Sequence, residues 1–389
     1  MIALGKPRTG FHPPREKPSA RAKRQDRRAA KFQLRAGLKP ITANPTFRRC
    51  GTTPCSASGV GVRVTETSLG HRRAGFSGLS TCGSVWLCPV CAAKIAAGRA
   101  DDLTTVLGNA KAQGYQVAMV TLTVRHQATD SLQDVWGAVS QGWNRVTSGK
   151  AWQNAQRRYN IAGWARAVEV THGAQGWHVH VHAAVIYDGT AADAQALGEG
   201  MFTRWYAGIT AVGFDALAGP GLDVQVAGDS LGKLGLYLAK LGADLPGLAR
   251  EVTQGSQKQA RGKNRTPFQI AADAVATGNA QDIAIWAEWT RTAPGHRALT
   301  WSKHVRERFG FTTPETDDET LAAQETGTTD DTILLLPAPT WHALRPHAHT
   351  LLDTAENHGP TALKTWLTSH GYTWHHPPQP PPSPPQPHS

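Results

Sequence analysis

An alternation of apolar residues and histidines over 177–182, within the segment 176–185, is the strongest pattern in this chain. The segment is Gly-Trp-His-Val-His-Val-His-Ala-Ala-Val, and successive side chains of a β-strand point to opposite faces of a sheet. The pattern therefore predicts a strand with His178, His180 and His182 on one face and valines on the other. The valine face can pack against helices, whereas the histidine face can hold a divalent metal, because imidazole is a common metal ligand.

The segment before the histidine strand predicts its partner in a β-hairpin. Residues 165–171 suit a strand, and a Gly-Ala-Gln-Gly turn follows them. If the hairpin centres on that turn, Glu169 lies opposite His180 on the histidine face, and His172 lies opposite Trp177 on the other face. A slip of one residue would exchange the two faces, so Glu169 and His172 are alternative candidates for a third metal ligand.

Hydrophobic periodicity predicts further strands and helices around this hairpin. The predicted strands are 59–64, 117–124 and 222–226, and the predicted helices are 92–112, 132–143, 191–212, 281–291 and 302–309. Another helix is expected to begin at Asp229 or Ser230, either of which can cap it, and to continue through Leu241.

The net charge of +12 over 389 residues is distributed unevenly. Residues 1–50 hold 14 Lys and Arg against 2 Asp and Glu, whereas residues 311–389 hold 2 against 9. We interpret residues 1–49 as a flexible basic arm with helical character near 20–35, which is either a contact for a polyanion such as nucleic acid or a solvated tail. Residues 311–389 are expected to be an acidic linker and a Pro-rich tail, with one isolated helical stretch at 351–369.

Three of the five cysteines form a cluster that points to a metal site. The sequence shows neither a membrane-length apolar run nor a secretion signal, so we expect a cytoplasmic protein, in which clustered cysteines favour metal over disulfides. Cys82, Cys88 and Cys91 offer three thiolates, and a structural zinc needs four ligands. Cys50 is the expected fourth ligand, with Cys55 and His71 as substitutes. Buried reduced cysteines or a redox pair are the alternative interpretations.

A tyrosine and a lysine one helical turn apart supply a second type of candidate chemistry. Tyr237 and Lys240 share one face of the predicted helix. Tyrosine can act as a covalent nucleophile when its proton is removed or its oxyanion is stabilised, and a nearby ammonium assists both and can hold a phosphate. A Tyr-x-x-Lys pair is common on ordinary amphipathic helices, so it gains weight only together with the histidine strand.

Taken in chain order, these segments resemble the plasmid rolling-circle replication initiators of the HUH endonuclease superfamily, and most closely their actinobacterial plasmid branch. The resemblance covers roughly residues 50–310. The matching segments are Cys82 to Cys91 (Cys-Gly-Ser-Val-Trp-Leu-Cys-Pro-Val-Cys), 121–126 (Thr-Leu-Thr-Val-Arg-His), Glu169 with 176–182, 237–240 (Tyr-Leu-Ala-Lys) and 299–303 (Leu-Thr-Trp-Ser-Lys).

This resemblance implies an α+β fold with a central antiparallel sheet and helices packed on it. It implies that His180 and His182 are the paired ligands of a catalytic Mg²⁺ or Mn²⁺, with His178 as a supporting residue. It further implies that Tyr237 attacks a DNA phosphate, which leaves a 5′-phosphotyrosine link and a free 3′-OH primer. The sequence therefore predicts a site-specific DNA endonuclease and strand transferase with a single catalytic tyrosine.

The expected organisation has four parts. These are a basic flexible arm (1–49), a Cys-rich zinc-binding module (50–99), an HUH endonuclease domain (100–310) and an acidic linker with a Pro-rich tail (311–389). The implied partners are DNA at the plasmid double-strand origin and its single-stranded nick site, a host helicase and a host polymerase. A homodimer is expected if the partner subunit's Tyr237 ends the reaction cycle; the alternative is hydrolysis assisted by a carboxylate such as Asp229.

Three other functions compete with replication initiation. A conjugative relaxase or a single-strand transposase would use the same chemistry in a different context. A non-catalytic zinc-containing protein would only bind DNA through the arm and the sheet. A His-rich metal oxygenase would explain the histidines but not the basic charge.

Overall fold

A computed structural model describes residues 19–55, 57–66, 72–227, 264–313, 315–323 and 331–377, and within these residues the fold is α+β. Every strand pairing among them is antiparallel, and the strands form a five-stranded and a three-stranded sheet. This architecture confirms the expected fold class of an antiparallel sheet with helices.

The larger sheet carries the histidine strand at its centre. Its strands are β3 (Gln116–Thr123), β4 (Gly163–Gly173), β5 (Gly176–Tyr187), β6 (Leu222–Val226) and β7 (Leu299–Trp301). They lie side by side in the order β6-β3-β5-β4-β7, so the histidine strand β5 has a hydrogen-bonded neighbour on each side. The smaller sheet consists of β1 (Val60–Glu66), β2 (Arg72–Ser77) and β8 (Thr332–Leu336) in the order β2-β1-β8.

Helices cover both sheets, and none in the described part of the chain is long and apolar enough to cross a membrane. The helices are α1 (Ala20–Leu38), α2 (Pro45–Arg49), α3 (Pro89–Ala112), α4 (Leu132–Val146), α5 (Gly149–Arg158), α6 (Ala191–Thr210), α7 (Pro267–Thr277), α8 (Ala280–Thr292), α9 (Val305–Arg308), α10 (Asp318–Ala323), α11 (Ala338–Leu344) and α12 (Ala348–Ser369). The last of these is bent at Gly359, whose φ of 85° is left-handed and precedes a proline.

The valine face of β5 lies in the main hydrophobic core. Val179 and Val181 are fully buried, as the alternating pattern predicts. Helices α4 and α6 pack on this face. The buried positions of α4, including Trp136 and Trp143, recur at helical spacing and form its apolar stripe. Ser131 begins α4 by accepting a hydrogen bond from the Asp134 amide.

A second hydrophobic core covers one end of the histidine face, and the other end is not part of that core. There α3 and Phe309 pack against Ala184 and Ile186 of β5. Toward the hairpin, the same row of β5 side chains continues as the three histidines, because residues two apart in a strand share a face. The sheet therefore changes along one face from apolar core to a row of imidazoles.

The second sheet is the largest departure from the sequence prediction. Strand β8 pairs with β1, and Val62, Leu334, Trp341 and Leu351 belong to one buried core beneath α11 and α12. Residues 331–377 are therefore folded, whereas the sequence suggested a linker and one isolated helix within 311–389. The Thr-Ile-Leu-Leu-Leu strand is only five residues long and follows an acidic stretch, so composition concealed it. The Pro-rich tail from residue 378 lies outside the described residues.

The predicted flexible arm is also folded from residue 19 onward. The helix expected near 20–35 is present as α1, but Leu34 and Leu38 are buried in the main core. Arg28 pairs with Asp353 at 2.6 Å and with Glu356 at 2.5 Å on α12. Acidic residues of the C-terminal region thus neutralise part of the basic charge of the N-terminal region. The sequence prediction considered the two segments separately and therefore could not reveal this pairing.

Glu356 is the buried anchor of this contact, and its removal should destabilise the protein. Its side chain is only 2% exposed, and one of its oxygens also accepts a hydrogen bond from the Ala74 amide at 2.8 Å. Glu356→Ala removes one of the two carboxylates that pair with Arg28 and leaves the Ala74 amide without its acceptor, so we expect a loss of about 3–5 kcal/mol in the free energy of unfolding, measured by urea denaturation. Glu66→Ala breaks an exposed pair with Arg72 and should cost about 1 kcal/mol or less. Equal losses in the two variants would contradict the anchoring role.

Candidate active site

The hairpin register places Glu169 on the histidine face. Glu169 lies opposite His180, and His172 lies opposite Trp177, as the turn predicted. The His172 and Trp177 rings are in edge contact at 4.8 Å between centroids on the other side of the sheet. Of the two candidates for a third metal ligand, the structure therefore brings Glu169 to the histidines and keeps His172 away from them.

Two threonines of β3 form hydrogen bonds with two of the histidine rings. Thr123 Oγ1 shares a hydrogen bond of 2.9 Å with His180 Nδ1, and Thr121 Oγ1 shares one of 3.1 Å with His182 Nδ1. A hydrogen bond at one ring nitrogen orients the ring and leaves the other nitrogen as the metal-binding atom. Sequence reasoning noted the threonines only as part of a motif; their positions opposite the histidines in β3 follow from the strand pairing.

Glu169 and His182 are in direct contact. The Oε2 atom of Glu169 and the Nε2 atom of His182 are 2.9 Å apart, and the His182 side chain is 8% exposed. Burial raises the pKa of the Glu169 carboxyl. The hydrogen bond and the charge of His182 act in the opposite direction, and the net result is a pKa below its ordinary value. A carboxylate with a depressed pKa stays ionised at neutral pH and is suited to bind a cation.

The remaining histidines form a row beside this pair. Burial lowers the pKa of His180 to about 4, and the neighbouring His178 lowers it as well. The rings of His178 and His180 are 4.2 Å apart, and His178 Nδ1 is hydrogen-bonded to His126 Nε2. His180 is therefore neutral at physiological pH, which is the protonation state that a metal ligand requires.

These side chains fit a divalent metal in donor type. Glu169, His180 and His182 share one face and supply one carboxylate and two imidazoles. The ligand atoms of these three are not gathered as closely as those of the cysteine cluster, which is the one set of potential ligands within 4.8 Å of one another among the described residues. A metal held by Glu169 and His182 would replace their mutual hydrogen bond.

The four cysteines predicted to bind zinc are brought together. Cys50 ends α2, Cys88 caps α3, Cys91 lies in its first turn and Cys82 lies in the preceding loop. The sulfur atoms are 3.6 Å apart for Cys50 and Cys91, and 3.7 Å apart for Cys50 and Cys88 and for Cys82 and Cys91. A tetrahedron with Zn–S bonds of about 2.3 Å requires S–S distances of about 3.8 Å, so the cluster could hold a structural zinc.

The surroundings of the cysteine cluster suit a negatively charged metal site. Hydrogen bonds from the other cysteines lower the pKa of Cys50, whereas burial raises the pKa of Cys88. Lys39 donates hydrogen bonds to the Cys50 carbonyl oxygen at 3.1 Å and to Thr52 at 2.9 Å. The guanidinium of Arg35 lies against Gly51, which has a φ of 61° and leaves no room for a side chain. Four thiolates around Zn²⁺ carry a net charge of −2, which these two cations offset.

The other two substitutes for the fourth ligand do not join the cluster. Cys55 is exposed and is not part of it. His71 lies outside the described residues.

A tryptophan cluster joins the cysteine cluster to the histidine hairpin. Trp86, two residues before Cys88, contacts Trp289 with 5.5 Å between ring centroids, and Trp289 stacks on Trp177 at 5.8 Å. Trp289 donates a hydrogen bond to the Trp86 carbonyl oxygen, and Trp177 donates one to Glu288. Both candidate metal sites therefore rest on one buried aromatic core.

Tyr237, the predicted nucleophile, lies outside the described residues, as do Lys240 and Asp229. The flanks of its segment are described. Ala227, directly after β6, donates a hydrogen bond to Val117 at the start of β3, and Arg265 forms a two-way bridge with His172 at the end of β4. The three histidines lie between these two points along the sheet.

Part of the chain matches a known protein family. Residues 78–189 match the family model described as "Replication protein". This range includes three of the four clustered cysteines, both strands of the hairpin, and Glu169 with all three histidines of β5. It ends before Tyr237 and begins after Cys50.

Two curated proteins from Streptomyces are similar to this chain. "Protein rep" of Streptomyces lividans is 27% identical over 366 residues, which cover 77% of this chain and 79% of that protein. The "Neomycin resistance protein" of Streptomyces cyanogenus is 34% identical over 138 residues, which cover 29% of this chain and 31% of that protein. No solved structure matches the chain. These findings confirm the resemblance to plasmid replication initiators that the sequence motifs carry.

Replacement of any of the four clustered cysteines should remove zinc. Cys50→Ser, Cys82→Ser, Cys88→Ser and Cys91→Ser each leave three thiolates, so zinc should fall from about one ion per chain to a small fraction of that value. Atomic absorption on protein dialysed against fresh buffer measures the content. Cys55→Ser is the matched control and should keep the full amount. Purified wild-type protein without zinc would contradict a zinc site.

Glu169 should contribute directly to binding of the divalent metal on the histidine face. Glu169→Ala removes the carboxylate, so we expect the affinity for Mn²⁺ to fall by about 10–100-fold in titration calorimetry. Glu307→Ala removes the carboxylate of an exposed Glu–His pair elsewhere and should leave Mn²⁺ affinity unchanged. Undiminished Mn²⁺ binding by Glu169→Ala would assign the role to another group on the histidine face.

Proposed function

We propose that this protein, a plasmid replication initiator by its resemblance, nicks one DNA strand at a plasmid origin to start rolling-circle replication. The observation that carries the proposal is the histidine face, where Glu169, His180 and His182 come together in a chain that matches replication proteins. This donor set suits Mg²⁺ or Mn²⁺, which supplies Lewis-acid polarisation of the scissile phosphate.

The chain's own residues supply the rest of the reaction. Thr121 and Thr123 fix the two histidine rings, and Glu169 provides the negative charge that completes the ligand set. Tyr237 attacks the phosphorus with its phenolic oxygen; the new O–P bond forms as the bond to the 3′-oxygen breaks. The tyrosine proton is lost, the 3′-oxygen gains a proton, and Lys240 stabilises the phenolate. The products are a 5′-phosphotyrosine and a free 3′-OH.

The described residues on either side of Tyr237 in the chain are compatible with this role. Ala227 follows β6, Arg265 pairs with His172 of β4, and β5 with its row of histidines lies between β3 and β4 in the same sheet. Extension of the free 3′-OH requires a polymerase, and displacement of the old strand requires a helicase, so both host enzymes are proposed partners.

The basic character of the chain favours DNA as the substrate, although fewer N-terminal cations are available than their number in the sequence suggests. Arg24 and Arg28 pair with acidic residues of α12. Residues 1–18 add four Lys and Arg and one Glu. Positive charge attracts the phosphate backbone independently of sequence, so these charges serve affinity, and recognition of the nick site needs other groups.

The proposal predicts a covalent adduct that depends on Tyr237. With Mn²⁺ and a single-stranded origin oligonucleotide labelled at its 3′ end, wild-type protein should retain the label on a denaturing gel. A 5′ label should instead appear on a shorter fragment that a polymerase can extend. Tyr237→Phe removes only the hydroxyl, so the adduct should disappear while DNA binding persists.

Tyr206→Phe is the matched control, because Tyr206 is 42% exposed and has no role in the proposed site. It should form the adduct as the wild type does. An undiminished adduct in Tyr237→Phe would assign the nucleophile to another of the six tyrosines, and absence of any adduct in the wild type would favour a non-catalytic DNA-binding protein.

A further inference from the structure

A cavity of about 280 Å³ opens beside the histidine face and is used by no step of the proposed reaction. It is bounded by the end of β3, the β4–β5 turn, the loop before β6 and the start of the segment that leads to α7. Two of its lining residues connect the cavity to the histidine row. Thr123 is hydrogen-bonded to His180, and the ring centroids of His178 and His180 are 4.2 Å apart.

The side chains that line the cavity have the chemistry of a nucleotide site. Gln175 and Asn264 present amide groups, which can donate and accept hydrogen bonds to a base edge. Both are exposed, and neither makes a hydrogen bond with another described residue. Leu217 is 50% exposed and, with Pro220, forms an apolar wall against which the flat face of a base can pack.

One cation is placed for a phosphate at the same cavity. The Arg125 side chain is 65% exposed, and its ion pair with Asp215 is 3.6 Å long and itself exposed. Exposed pairs of this kind contribute at most about 1 kcal/mol, so the guanidinium can turn to a phosphate at little cost. The site thus combines a charge for the backbone, an apolar wall and two base-reading amides.

The walls of the cavity are fixed by backbone hydrogen bonds. Arg125 donates to the Asp215 carbonyl oxygen at 2.7 Å, Thr123 donates to that of Gly221 at 3.0 Å, and Gly221 donates to that of Leu217 at 2.8 Å. Next to Asn264, the bridge between Arg265 and His172 ties the chain to the hairpin. A preformed site loses little conformational entropy on binding, which favours selective recognition.

We propose that this cavity binds one unstacked nucleotide of the single strand, adjacent to the phosphate at the histidine face, and that Gln175 and Asn264 read its base. The inference rests on the proposed function for its substrate. A volume of about 280 Å³ is too small for a duplex and lies just below the roughly 300–1,000 Å³ of small-molecule sites, so it suits a single nucleotide.

Selection from a degenerate single-stranded DNA pool tests the inference without any nicking. Full-length Tyr237→Phe protein, with its zinc retained and in buffer without a chelator, is the parent, and the strands that it retains on a filter are sequenced. The parent should prefer one base over the others at one position. Asn264→Ala and Gln175→Ala should each reduce that preference by about tenfold, because a paired base contact contributes about 1–3 kcal/mol and 1.4 kcal/mol is a factor of ten.

Three further variants separate the roles of the walls. Leu217→Ala should weaken binding of all bases at that position, and Val212→Ala, equally exposed but outside the cavity, should not. Arg125→Gln should weaken the binding of all sequences alike. It should also reduce the slope of log affinity against log salt concentration by the amount expected for about one phosphate contact. Gln153→Ala, an exposed amide on α5, is the control for Gln175 and Asn264 and should keep the base preference of the parent.

Two results would overturn the inference: a parent with no base preference, or amide variants that retain the preference of the parent. The adduct assay on wild-type protein is independent of this selection. A base preference that depends on Asn264, together with a wild type that forms no adduct, would keep the nucleotide site and reject the nicking reaction.

Discussion

Burial of the valine face of β5 is the constraint on which the rest of the structure depends. Val179 and Val181 are fully buried under helices, so a slip of one residue would place three imidazoles in the core and expose the valines. Each buried aliphatic side chain contributes about 1.5–3 kcal/mol by leaving water, and buried imidazoles without partners would cost free energy. Hydrophobic burial on one side of the sheet thus fixes the chemistry on the other.

The aromatic core makes the two candidate metal sites parts of one folded unit. Trp86 and Cys88 are neighbours in sequence, Trp289 bridges Trp86 and Trp177, and Trp177 is adjacent to His178. Loss of order at the cysteine cluster would therefore disturb the packing beneath the hairpin. A structural metal at the cluster would therefore stabilise the hairpin that carries the three histidines, even though the cluster lies apart from the histidine face.

Local patterns predicted the centre of the fold, and long-range pairing escaped them. Alternation predicted β5, the Gly-Ala-Gln-Gly turn predicted the register that brings Glu169 to His180, and Cys-x-x-Cys spacing predicted the cluster. The pairing of β8 with β1 joins residues about 270 positions apart in sequence, and acidic composition before β8 indicated a linker instead. The packing of α1 depends on Glu356 in a distant helix, so no pattern within residues 1–49 could reveal it.

The β4–β5 turn links the histidine face to the neighbouring cavity. It sets the strand register that places Glu169 opposite His180, and it carries Gln175 at the rim of the cavity. Through His172, the end of β4 next to the turn also pairs with Arg265. An insertion in this turn would shift Glu169, Gln175 and Arg265 together. In the proposed reaction, this one local geometry would set the position of the cleaved phosphate relative to that of the recognised base, as site-specific cleavage of one strand requires.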